Sequence, residues 1–208
     1  MSRFVSKHGF KLAVIVILIG MVAVFMYQST LQQRNIDERL SIIKKAPEFQ
    51  LTNIQSQTVK MSELDGKVRL VYFFFSSCPD VCLPTTFFLS KIQDELQKQG
   101  LFGEDAMILS ITVDPDRDKP EVLQKYADRF QADPSGWMFL RGNENETKEL
   151  AEQYGVMAVK QKDGNFAHSN SILIVDQQGN VRNYYNASDE TLEPSYIVKD
   201  VVTLSKQK

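Results

Sequence analysis

Residues 68–86 read VRLVYFFFSSCPDVCLPTT and contain both cysteines of the chain, Cys78 and Cys82. From Val68 to Phe75 the run is β-branched and aromatic, broken only by Arg69. A short run of that kind reads as a strand buried on both faces. Ser76 and Ser77 end it, and Pro79 favours a new turn. The cysteines then stand at the C-terminal end of a central strand, where open α/β sheets carry their chemistry.

The spacing is C-x-x-x-C. Residues four apart share one face of a helical turn, with Cβ atoms roughly 5–6 Å apart. Two sulfurs can then converge on one metal ion, and a disulfide is also open to them. The first helical amides and the positive end of the helix dipole should favour the thiolate of Cys78. Pro84 lacks the N–H that would bond the Asp80 carbonyl in a continuous helix. The expectation is therefore one loose turn over Cys78–Cys82, with the regular helix running from Pro84 to Gln99.

The chain has 208 residues, 43% hydrophobic and 24% charged, which suits one globular domain with a tail. Formal net charge is −2. The first 27 residues hold Arg3, Lys7 and Lys11 and no acid, and beyond them 21 basic residues face 26 acidic ones. A mildly acidic domain without a basic stripe argues against a nucleic-acid partner. Internal repeats and low-complexity tracts are absent from the sequence.

Leu12–Tyr27, LAVIVILIGMVAVFMY, carries no charge, and extension to Leu31 adds only polar neutral residues. About 20 helical residues cross a bilayer core, so residues 12–31 read as a transmembrane anchor. No A-x-A-like pattern or lipobox cysteine follows, which favours an uncleaved anchor over a signal peptide. The basic flank, residues 1–11, should stay in the cytoplasm and put the rest of the chain outside. The expected home is a bacterial cytoplasmic membrane, crossed once, with the domain on its outer face. Residues 32–45 are polar, with Ile36, Leu40 and Ile43 at helical spacing. They read equally as a spacer or as a helix packed on the domain of residues 46–208.

Within that domain, Phe49–Leu51 and Thr58–Lys60 suggest a hairpin. Ala106–Val113 reads as a second buried strand, followed by a helix over Lys119–Phe130. Asp118 and Glu121 fit a capping box, while Asp114, at a strand end, is the acid expected to face the site. Trp137–Leu140 is a strand, and Asn143-x-x-Glu146 caps a helix that runs to Tyr154 and closes at Gly155. Ser171–Val175 and Asn180–Tyr185 form a hairpin, and Pro194–Lys206 is an amphipathic helix. Parallel crossovers mixed with hairpins give an α/β fold, an α/β/α sandwich on a mixed sheet with an N-terminal hairpin.

Of two histidines, His8 lies in the basic flank and His168 just before SILIV. If that strand lies beside the central one, His168 comes close to the cysteines. Two thiolates and one imidazole make a soft site that suits copper or zinc. A structural zinc site wants four protein ligands, and no further Cys or His is available. Three ligands suit a copper ion that must later leave.

FFSSCPDVC at 73–82, VDPDRD at 113–118 and His168-Ser169 before ILIVD, in this order and spacing, resemble the SCO/SenC family of copper proteins. The resemblance covers roughly Ala46–Tyr185. It implies a thioredoxin-like fold on a membrane anchor and binding of copper, as Cu+ or Cu2+, by Cys78, Cys82 and His168. It also implies a role in building the binuclear copper centre of cytochrome c oxidase subunit II, with a thiol reductant protein restoring the dithiol; the chain is expected to be a monomer. The sequence departs from the family at two places. Leu83 stands between Cys82 and the proline, and Ala167 replaces the aspartate before the histidine.

Three other functions use the same residues. One is a thiol–disulfide oxidoreductase that reduces the oxidase cysteines, with Cys78 as attacking thiolate. Another is a redox sensor acting through the anchor. A peroxidase of peroxiredoxin type would want threonine and proline where Phe75 and Val71 stand.

Overall fold

The computed structural model describes residues 2–161 and 166–207, and for residues 2–9, 12, 33, 37, 167 and 168 the backbone alone. The described chain divides into two compact units, residues 1–41 and 42–208. The first is a helix, α1 (Ser2–Arg39). Its stretch Ala13–Ile36, with mean hydropathy 2.2, is long and apolar enough to cross a membrane.

The second unit is built on an eight-stranded mixed sheet in the order β1-β10-β9-β4-β5-β6-β2-β3. The strands are β1 (Lys44–Lys45), β2 (Gln50–Asn53), β3 (Thr58–Lys60), β4 (Val68–Phe74), β5 (Ala106–Thr112), β6 (Trp137–Arg141), β9 (Ser171–Val175) and β10 (Asn180–Asn186). β4 is central, and all seven of its residues are buried. It runs parallel to β5 and antiparallel to β9, with Tyr72 opposite Ile172. The strand that follows His168 therefore does lie beside the strand that precedes the cysteines.

Helices cover both faces: α2 (Cys82–Lys98), α3 (Pro120–Arg129), α4 (Glu144–Gln153) and α5 (Pro194–Ser205). Alternation along β4 decides which helix meets which residue. Phe74 packs at a tilt against Tyr126 of α3 with ring centroids 5.2 Å apart, while Phe73 meets Tyr154 at the end of α4 at 5.6 Å. α4 starts as expected, with a reciprocal capping box between Asn143 and Glu146. It ends at Gly155, whose φ of +79° is one that a side chain disfavours.

Three local expectations are corrected. α2 begins at Cys82, not Pro84. The first helical N–H groups have no intrahelical acceptor, so a proline third in the helix removes no bond. Cys78 consequently precedes the helix, in a turn closed by its N–H to the Phe75 carbonyl at 3.2 Å, and it is Cys82 that opens the helix. α3 begins one residue late, at Pro120, after an N-cap residue, Lys119, that makes no side-chain cap bond. The Asp118–Glu121 capping box does not form.

Three strands went unseen in the sequence. Lys44–Lys45 pair with β10 as β1. β7 (Ala158–Lys160) and β8 (Phe166–His168) form a separate two-stranded ribbon, with Ala158 opposite His168.

Candidate metal centre

Cys78 and Cys82 are both unbridged and buried, at the C-terminal end of β4 and the start of α2. Burial drives the Cys82 thiol well above the ordinary cysteine range, and Cys78 adds to that by a side-chain hydrogen bond and by charge. Tyr72 of β4 is raised in turn, first by burial and then by Cys82. The Cys82 carbonyl accepts the hydroxyl of Thr86 at 2.8 Å.

The loop that enters the cysteine turn is held by Asp118. Its carboxylate, fully buried, accepts the Ser76 N–H at 3.0 Å and the hydroxyls of Ser76 and Thr112. Burial raises this carboxyl despite those donors. Asp114, the acid expected to face the site, is paired with Arg117. Arg117 lies over the Phe75 ring, 5.8 Å from its centroid. Asp118 was legible only as a capping residue, because its pattern with Glu121 imitates one.

The His168 side chain lies outside the described ones; its backbone ends β8. The same holds for Ala167. Phe166 and Asn170, two positions to either side of His168, are described and both reach the cysteine element. Phe166, buried, packs on Phe75 with ring centroids 5.7 Å apart. Asn170 accepts the Thr85 hydroxyl of α2 at 3.1 Å and the Tyr72 hydroxyl of β4 at 3.3 Å. Neither Phe166 nor Asn170 carried a signal in the sequence beyond lying two residues from His168.

Among the described residues no three His, Cys, Asp or Glu side chains gather to hold a metal. The described donors are two soft thiols, which fit a copper or zinc ion and not a hard cation. A depression of about 430 Å³ beside Asn53, Gln124, Asp128 and Trp137 lies on other elements and is lined by no cysteine or histidine.

Comparison with known proteins agrees with this architecture. The SCO1/SenC family model matches residues 39–204. A SCO1 protein homolog of Bacillus subtilis is 31% identical over 163 residues, covering 77% of this chain and 82% of that one. The structure of BsSco, described as having a disulfide switch and as a member of the Sco family of cytochrome c oxidase assembly proteins, superposes with TM-score 0.71 at 28% identity, over 81% of this chain and 98% of that one. Bradyrhizobium japonicum ScoI with copper bound gives TM-score 0.64 at 28% identity, over 77% and 99%. With a matched model spanning nearly all of the second unit, and the same thioredoxin-like sandwich in the solved relatives, this chain belongs to the SCO1/SenC family.

Proposed function

We propose that this chain is a membrane-anchored copper chaperone of cytochrome c oxidase assembly. It takes copper on Cys78, Cys82 and His168 and hands it to the binuclear centre of oxidase subunit II. The observation that carries this reading is the pair of unbridged cysteines at the end of β4, with chain on both sides of His168 docked beside them. Copper bound in the Bradyrhizobium relative, and the oxidase-assembly role stated for BsSco, support it. The ion is cargo. Both thiols must lose their protons as it enters, and a three-ligand site leaves one side open for transfer. The apolar stretch of α1, Ala13–Ile36, supports a membrane anchor over residues 12–31. The basic flank of residues 1–11 is the ground for placing the domain on the outer face of a bacterial cytoplasmic membrane, beyond a spacer over residues 32–45.

The test is copper titration of the full chain, reduced and in detergent. A thiolate-to-copper charge-transfer band is expected, weakened by His168→Ala and abolished by Cys78→Ser or Cys82→Ser. Transfer to a copper-free subunit II fragment should follow. A band indifferent to all three substitutions would defeat the proposal.

The disulfide switch of BsSco favours one alternative, thiol–disulfide exchange. The Cys78 thiolate would attack an oxidase disulfide, and Cys82 would then displace the partner's second sulfur. The partner would leave as a dithiol and this chain as a disulfide, to be restored by a thiol reductant protein. Reduction of an oxidised subunit II fragment without copper, at rates that match assembly, would favour it over delivery.

A further inference from the structure

We propose that Asn170 is the positioning residue that clamps the His168 main chain to the cysteine turn; this rests on the copper reading above. Its side chain joins three elements. The amide oxygen accepts the hydroxyls of Thr85 at 3.1 Å and Tyr72 at 3.3 Å, and the amide nitrogen donates to Ser188 Oγ at 3.0 Å. Its own carbonyl accepts the Ala187 N–H at 2.9 Å. Thr85 stands one helical turn beyond Cys82, and Tyr72 interacts with Cys82 itself. One side chain thus ties the approach to β9 to the strand and the helix that flank the cysteines.

Two peptide units cannot separate Cα atoms by more than about 7 Å, so a fixed Asn170 confines His168. The other side of His168 is confined by Phe166 on Phe75. Ser169 adds a reciprocal pair with Met157: its N–H donates to the Met157 carbonyl at 3.0 Å, and its hydroxyl accepts the Met157 N–H at 2.8 Å. Supports that orient a ligand without touching the metal usually alter affinity 10–100-fold.

The experiment uses the full reduced chain in detergent, loaded with Cu2+, and reads copper affinity, the charge-transfer band and imidazole nitrogen coupling by electron paramagnetic resonance. Asn170→Ala should weaken binding by roughly 10–100-fold and reduce the nitrogen coupling while the thiolate band persists. Thr85→Val should act in the same direction and add little to Asn170→Ala, as expected for two members of one contact. Thr85→Ser keeps the hydroxyl and should stay at wild type. Should Asn170→Ala fail to fold, the Thr85 pair alone decides. Nitrogen coupling that survives His168→Ala removes the histidine from the site, and the clamp with it. Coupling that His168→Ala abolishes, but that Asn170→Ala and Thr85→Val leave intact at unchanged affinity, overturns the role of Asn170 alone.

Discussion

The carboxylate of Asp118 grips Ser76, two residues before Cys78, by both its N–H, at 3.0 Å, and its hydroxyl. A third donor, the Thr112 hydroxyl, comes from the end of β5. This one buried acid therefore locks the entrance of the cysteine turn to the neighbouring strand. Asp118→Ala strands those donors, and each buried unpaired donor costs about 1–3 kcal/mol. Denaturant melts of the reduced chain should show a loss of that order or more. Asp118→Asn keeps one acceptor oxygen and should lose less. Equal stability of wild type and Asp118→Ala would mean the grip holds nothing.

The thiol of Cys82 ionises less readily in the folded chain than its ordinary value of about 8.5 in the unfolded one, first because it is buried. Above pH ~8.5 the unfolded state has lost this proton and the folded state keeps it. Stability tied to this group is thus fully present below that pH and declines as pH rises, by up to about 1.4 kcal/mol per unit. Reduced wild type should lose more stability between pH 8.5 and 10 than Cys82→Ser does. The tyrosines Tyr72 and Tyr126 are raised by burial too, so the difference between the two proteins is the quantity to follow.

Pro84 is third in α2, and the first intrahelical bond of that turn runs from Thr85 N–H to the Val81 carbonyl at 3.1 Å. Pro84→Ala should change stability by less than about 1 kcal/mol, since no helix bond is gained. The copper band should keep its position. A large shift in that band would show that the proline itself shapes the turn.

Arg69 is fully buried in β4. It reaches Asp65 at 2.9 Å and the Asp176 carbonyl, and its Nε has no hydrogen-bond partner among the described residues. Arg69→Ala removes a large side chain from the core and should cost about 2–5 kcal/mol, as other core truncations do. Arg69→Met keeps much of the volume without the buried charge and should lie closer to wild type. Urea midpoints of the two variants test this; a methionine variant as weak as the alanine one would show that the guanidinium bonds, not its packing, matter.

Much of this protein could be read in one dimension. The eight residues Val68–Phe75 specify a buried strand because nearly every side chain avoids water, whichever face it takes. The Asn143–Glu146 cap forms as written because its partners lie within one turn of each other. The spacing of Cys78 and Cys82 keeps both thiols close along the chain, one in the turn after β4 and one at the first residue of α2.

Three-dimensional packing decided the rest. Asp118 has a local partner in sequence, Glu121, yet its carboxylate goes to Ser76, 42 residues earlier in the chain, because β4 and β5 lie side by side. β7 and β8 carry too few residues for any periodicity, and their pairing and the contact of Phe166 with Phe75 are seen only in the folded chain. The same holds at Asn170, an unremarkable polar residue until folding brings Tyr72 and Thr85 to it. Contacts between distant segments leave no periodic trace in a sequence, so only the folded chain could reveal what surrounds the cysteines.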